Sequence, residues 1–267
     1  MAAFWSPGFL FSIRTPSITA MTRALPRSHF NCSNLSRVLD GYGFATSGET
    51  GPTSAERLGA WLSAADAMRL YAALNGGAEP DRSSASPLAG ALSDQCNRLR
   101  TTLTQAIEHS CRLNPPARDG SRLRFPLPDP ALPDAVAADY EPYRRFQLAH
   151  QREMDVAITP LRARARQVLA QSGPALARLA AVDAALGDIL AGREARLLAT
   201  LPALLERRFV ELREAGQADD RTAWLAQDGW LARFCRELQT ALLAELDLRL
   251  QPLAGLIDAL DQEVSPP

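Results

Sequence analysis

Lysine is absent from this chain: all 29 basic residues are arginine. A lysine Schiff base and a phosphate-binding loop ending in Gly-Lys are therefore excluded, because both need the ε-amine itself. Histidine is scarce, with His29, His109 and His150 the three present. No serine sits in a Gly-x-Ser-x-Gly elbow, so nucleophilic catalysis has few candidate parts. The four cysteines, Cys32, Cys96, Cys111 and Cys235, form no CxxC pair and no disulfide framework. They read as reduced, partly buried thiols of a cytoplasmic protein. On one helix Cys96 and Cys111 would stand roughly 22 Å apart at about 1.5 Å per residue, too far to share a metal. No apolar run is long and uncharged enough to span a bilayer, so direct membrane insertion is not expected. Val and Ile are few and nowhere alternate with polar residues in period two, which removes the signature of β-strands.

What is present is alanine and leucine at helical spacing. In Trp230 to Leu260, the positions Leu231, Cys235, Leu238, Leu242, Leu246, Leu250, Leu253, Ile257 and Leu260 follow at steps of three or four. They mark one stripe of a helix, with Arg236, Glu237, Glu245, Asp247 and Arg249 pointing elsewhere and Glu245 paired with Arg249 at i,i+4. The four-residue steps depart from a strict heptad seam and favour bundle packing over a long coiled coil. Pro252 is expected to bend the end of this helix.

Upstream, Asn31–Leu39 reads as a short helix that stops at Gly41 or Gly43. Thr53 with Glu56 forms a capping box for a helix burying Leu58, Trp61, Leu62, Ala65, Met68 and Ala72, with Gly76-Gly77 as a left-handed stop. Ser86-Pro87 begins another helix, with Leu88, Leu92, Cys96, Leu99, Leu103 and Ile107 inward. Six prolines between Asn114 and Pro133 exclude helix there and predict an extended crossover. Asp139 caps a helix running to about Gln171, kinked at Pro160. A long helical pattern then follows from Pro174, divided near Leu201 by Pro202.

These features give an all-α fold: a helical bundle, or extended coiled-coil-like hairpin, with long antiparallel C-terminal helices and a Pro-rich crossover. The organisation expected is a disordered leader over 1–29, an N-terminal three-helix segment over 30–113, a Pro-rich linker over 114–138 and a long-helix bundle over 139–263. The leader's apolar patch, Phe4–Ile13, lacks a basic region before it and is broken by Pro7 and Gly8, unlike a secretory signal. Met21 is a second candidate start.

Three segments carry a resemblance: RLGAWLSAADAMRLYAALNGG (Arg57–Gly77), YEPYRRFQLAHQREMDVAITPLRARARQVLA (Tyr140–Ala170) and LLAELDLRLQPLAGLIDAL (Leu242–Leu260). They resemble an uncharacterised proteobacterial family of helical proteins, a domain of unknown function, over nearly the whole chain from about Phe30. The resemblance implies no catalytic residue. It implies genes placed near membrane proteins of the proton-channel and peptidoglycan-binding type, hence a cytoplasmic accessory of an envelope complex.

The functional expectation is a non-enzymatic helical interaction or scaffold protein that binds a protein partner or itself. No catalytic, cofactor-binding or metal-ligating residue is assigned, and no cofactor is expected. His150 and Glu153 could share a helical face, but a helical di-metal site needs Glu-x-x-His on two helices, and this chain has the reverse order once. His150 reads as an ordinary, partly exposed histidine. An alternative is an enzyme or small-ligand-binding bundle with a pocket near Trp61, Tyr71, Tyr143 and His150. A further alternative is nucleic-acid binding through Arg162, Arg164 and Arg166 or Arg207-Arg208. The net charge of −1 and the lack of interleaved aromatics argue against it, leaving these arginines as a solvated helix surface. Trp61, Trp224 and Trp230 read as core or helix-junction packing. The residues singled out for an interaction or pocket are Trp61, Tyr143, His150, Arg162, Arg166 and Trp230.

Overall fold

The computed structural model describes residues 34–42, 59–76, 85–113, 123–129, 131, 133, 137–216 and 221–264. The 1–29 leader, Cys32, the Thr53–Glu56 capping box, Leu58 and Gly77 lie outside the described residues. The helices are α1 (Asn34–Gly41), α2 (Ala64–Asn75), α3 (Ala85–Ser110), α4 (Glu141–Ser172), α5 (Pro174–Leu198), α6 (Leu201–Gly216), α7 (Arg221–Trp224) and α8 (Trp230–Val264). No strand occurs among the described residues, and the fold is all-α.

Helix α8 is the axis of the bundle. It packs against α1, α3, α4, α5, α6 and α7, and all nine residues of its predicted stripe are 5% exposed or less. Burying each large apolar side chain there is worth about 1.5–3 kcal/mol relative to leaving it in water. Surrounded by neighbours, α8 is covered well beyond one stripe: Phe234, Ala241, Ala244 and Leu256 are buried too. Glu245 corrects the sequence expectation, since it is fully buried although it lies off the stripe. Its oxygens accept from Gln151 Nε2 at 2.9 Å and from Arg249 Nη2 at 2.7 Å, so the expected i,i+4 pair does form, inside the core.

Around this axis the apolar spacing carries over element by element. In α1, Leu35 and Leu39 are buried, and the Tyr42 hydroxyl beyond its end donates to the Glu237 carbonyl at 2.8 Å. In α3, Leu92, Cys96, Leu103 and Ile107 are buried and Leu99 partly so. The described part of the crossover, 123–129, has no regular secondary structure; the Phe125 N–H donates to the Ser110 carbonyl at 2.8 Å, and its ring lies 5.1 Å from Tyr143 and 5.9 Å from Phe146. Helices of 30–113 and of 139–263 thus share one core, within the compact unit Cys32–Pro267.

Helix α4 is continuous through Pro160. Its N-cap is Tyr140, without a side-chain cap bond; the Asp139 carboxylate accepts from the Glu141 N–H at 3.4 Å. Gly173, at φ 157° and ψ 161°, separates α4 from α5 in a backbone region open essentially to glycine alone. The long pattern from Pro174 divides at Ala199–Thr200, and Pro202 falls in the first turn of α6, where its missing N–H costs nothing.

The largest departure is α2. The helix of residues 59–61 breaks at Leu62–Ser63 and restarts on a different capping box: Ser63 Oγ accepts from the Asp66 N–H at 3.1 Å and Asp66 Oδ2 from the Ser63 N–H at 3.0 Å. The half-buried residues are consequently Leu62, Asp66, Leu70 and Ala73, and none of α2 is buried. Trp61, Ala65, Met68 and Ala72, expected in the core, are exposed. Gly76 ends α2 at φ −67° and ψ 113°, an extended stop and not a left-handed one. The main neighbour of α2 is α5.

Candidate functional site

Among the described residues, three places gather side chains that could bind or react. The first is a cleft of about 560 Å³ between α4 and α5, with Arg249 of α8 in its lining. Arg162 and Arg166, four residues apart on α4, both reach Asp183 on α5. Arg162 donates through Nε at 3.0 Å and Nη2 at 2.5 Å, and Arg166 through Nε at 2.6 Å, with its Nη2 on the Asp183 carbonyl at 3.2 Å. Burial pushes the Asp183 carboxyl up, but the two guanidiniums outweigh it and hold it below the ordinary carboxylate value. A Cβ on Gly187 would lie 3.0 Å from Arg166 Nη2, so glycine there leaves room for this fork. Arg249 bridges Glu245 and Asp155 in the same wall. The lining arginines are thus matched by Asp155, Asp188 and Glu194, with Asp183 and Glu245 behind them. Such a balanced set focuses no field on a ligand of either sign. The arginines fasten helices together.

The expected solvated surface of Arg162 and Arg166 is corrected accordingly, as is that of Arg208. Arg208 donates to both Glu237 oxygens at 2.7 and 2.9 Å and to Glu211 at 3.2 Å, and the Glu237 bond raises its pKa above the ordinary guanidinium value. A phosphate backbone would have to displace these carboxylates.

The second place is a buried chain of polar groups. Ser110 Oγ lies 2.8 Å from His150 Nε2, and His150 Nδ1 lies 3.8 Å from a Glu153 oxygen. The order is that of a hydrolytic triad, but the geometry is not. The Ser110 hydroxyl donates to the Ile107 carbonyl at 2.9 Å, and 3.8 Å is beyond a hydrogen bond. His150 is 2% exposed, against its expected partial exposure, and burial lowers its pKa to about 4. It is a neutral core histidine, stacked edge-on to Phe146 at 4.7 Å. Nearby, Cys235 Sγ donates to the Cys111 carbonyl at 3.0 Å; Cys111 and burial both push the Cys235 thiol up. Cys96, Cys111 and Cys235 are free and buried. No group of three or more His, Cys, Asp or Glu among the described residues could hold a metal.

The third place is the outer face of α2. Trp61, Met68, Tyr71 and Leu74 are 41%, 68%, 70% and 56% exposed. Arg193 of α5 sits 5.1 Å over the Trp61 ring and donates to the Trp61 carbonyl at 3.0 Å. That bond anchors the start of the segment and leaves the rest of its apolar face in solvent.

The residues singled out from the sequence do not converge. Tyr143 and Trp230 belong to a core aromatic cluster with Phe209 and Phe234, at ring distances of 5.1–5.6 Å. His150 is in the core, Arg162 and Arg166 line the cleft, and Trp61 is at the α2 surface. A pocket joining Trp61, Tyr71, Tyr143 and His150 is not assembled, because two of them are core and two are surface. Met68 and Leu74 were not picked out as an exposed surface, nor Asp183 and Glu245 as buried anchors. The composition of α2 carried a signal: AADAMRLYAALN holds only two charged residues in twelve.

No described helix is long and apolar enough to cross a membrane. Neither a curated protein nor a solved structure matches the chain. A family model does, from Met21, upstream of the Phe30 where the resemblance was read to begin, and it covers residues 21–262. The chain belongs to that family, described as a protein of unknown function (DUF3348).

Proposed function

We propose that this protein is a non-enzymatic helical interaction or scaffold protein that uses the outer face of α2 to dock a protein partner, in the cytoplasm and as an accessory of an envelope complex. The observation that carries the reading is the exposure of Met68, Tyr71 and Leu74 on a helix that buries no residue of its own. Scattered surface leucines need no explanation, but a contiguous apolar patch on a nearly uncharged helix marks a contact surface. The envelope assignment draws on what the family resemblance implies about neighbouring genes. Pull-down from the native host with the wild type and with Met68→Glu/Tyr71→Glu tests it. Capture, of a host protein or of an untagged copy of this chain, that the double variant abolishes supports the reading; equal capture by both, or no capture of either kind, ends it.

A further inference from the structure

We infer that the partner on the outer face of α2 is the same face of a second copy of this chain, packed antiparallel about a two-fold axis. The inference rests on the reading of that face as the contact surface and names its occupant.

Area gives the first argument. At roughly 200 Å² for a fully exposed large side chain, the exposures of Trp61, Met68, Tyr71 and Leu74 amount to on the order of 450 Å² per copy. Two copies, with the exposed Ala64, Ala67 and Ala72 included, reach about 1,200 Å², the lower bound for a specific interface. The patch is thus large enough to hold a copy of itself.

Its shape gives the second. In an antiparallel helix pair, residues at one height along the axis have numbers that add to a constant. With the two-fold axis between Ala67 and Met68, Met68 stands level with Ala67 of the second copy and Tyr71 with Ala64 of the second copy. Leu74 then lies beside the turn that carries Trp61 of the second copy. Met68 and Tyr71 each meet an alanine, which lets the helices approach closely and interdigitate at the centre, while Leu74 and Trp61 close the two ends. A two-fold contact of this kind is isologous, so one patch supplies both sides.

Charge gives the third. Of the two charged residues in α2, Asp66 is half-buried and tied to Ser63 by the capping box, which leaves Arg69 on the flank. The centre of the contact therefore brings no like charges together. Contacts at this low end of interface size are those of weak, transient complexes, so the test spans micromolar concentrations, on the order of 1–100 µM.

Sedimentation equilibrium of the full chain from about 1 to 200 µM tests the inference. The wild type should pass from the monomer mass of 29.0 kDa toward twice that value. Tyr71→Glu and Met68→Glu should each stay monomeric with unchanged circular dichroism, since neither side chain supports the core. Val156→Glu, on an exposed position of α4, should dimerise as the wild type does. A wild type that stays monomeric at 200 µM overturns the inference. So does a dimer that neither α2 substitution dissolves. A monomer that still captures a host protein through Met68 and Tyr71 loses the self-pairing inference alone, while the contact-surface reading stands. A monomer that captures nothing loses both.

Discussion

Lowering the pH from 7 to 5 should destabilise this protein through His150. Burial between α3 and α4 lowers the His150 pKa from 6.5 to about 4, with Ser110 at Nε2, Phe146 against the ring and Glu153 at the edge. The unfolded chain takes up the imidazole proton as pH falls through 6.5, whereas the folded chain holds the ring neutral down to about 4. Between those values the unfolded state binds more protons, so stability rises with pH. The contribution is complete above 6.5 and declines as pH falls, by about 1.4 kcal/mol per unit. At pH 5 the loss is about 2 kcal/mol. Asp183 and Glu141, whose pKa values are lowered, lose their contributions only below the ordinary carboxylate range, so they do not overlap this window. The assay is urea unfolding followed by tryptophan fluorescence at pH 7 and pH 5, on the wild type and on His150→Gln. Glutamine can still donate to Ser110 but does not titrate, so the variant should lose about 2 kcal/mol less than the wild type over the interval. Equal losses would show that His150 is not held neutral in the folded state, and would refute the argument from burial.

Two further expectations test the packing. Gly229→Ala places a Cβ 2.3 Å from the carbonyl oxygens of Ala223 and Trp224, both backbone atoms, and should cost about 3 kcal/mol; Gly255→Ala, within α8 and with nothing inside 4 Å, should instead stabilise by about 0.5–1 kcal/mol, both read as shifts in thermal midpoint. Glu245→Ala leaves Gln151 without its acceptor and Arg249 with Asp155 alone, and should cost about 3 kcal/mol in denaturant unfolding, whereas Glu245→Gln keeps one acceptor oxygen for Arg249 and turns its NH2 toward the Gln151 amide, which can flip to accept, and should cost less.

The axis of the fold was legible because burial and spacing agree there: Leu231 through Leu260 can all be buried only on one helix, and they are. The break before Leu201 was legible for a local reason, the proline at 202. Glu245 was not, because periodicity reports which residues are apolar and not how many neighbours a helix has. A helix packed on several sides buries polar residues too, provided that they find partners, as Glu245 finds Gln151 and Arg249. Asp183 was hidden for a related reason. Two arginines spaced i,i+4 look alike whether they face water or a carboxylate on another helix, and the sequence does not place α5 against α4. The register of α2 was misread because two capping boxes compete in one stretch. Thr53 with Glu56 and Ser63 with Asp66 both satisfy the pattern, and the second sets the faces of the helix that follows.

That competition bears on what α2 is for. Once Ser63 and Asp66 set the register, Leu62, Leu70 and Ala73 are the apolar residues left half-buried, and Met68, Tyr71 and Leu74 turn outward. Folding gains little from an apolar residue at those three positions, because side chains 56–70% exposed recover little transfer free energy. Lysine, glutamate or arginine would serve the helix as well and keep the surface better hydrated. The core therefore does not account for the apolar character of this face, whereas it does account for the buried leucines of α8. The proposed contact with a second copy would account for it. That contact is to be sought on α2, where substitution to glutamate should remove association while leaving the melting temperature within about 2 °C of the wild type.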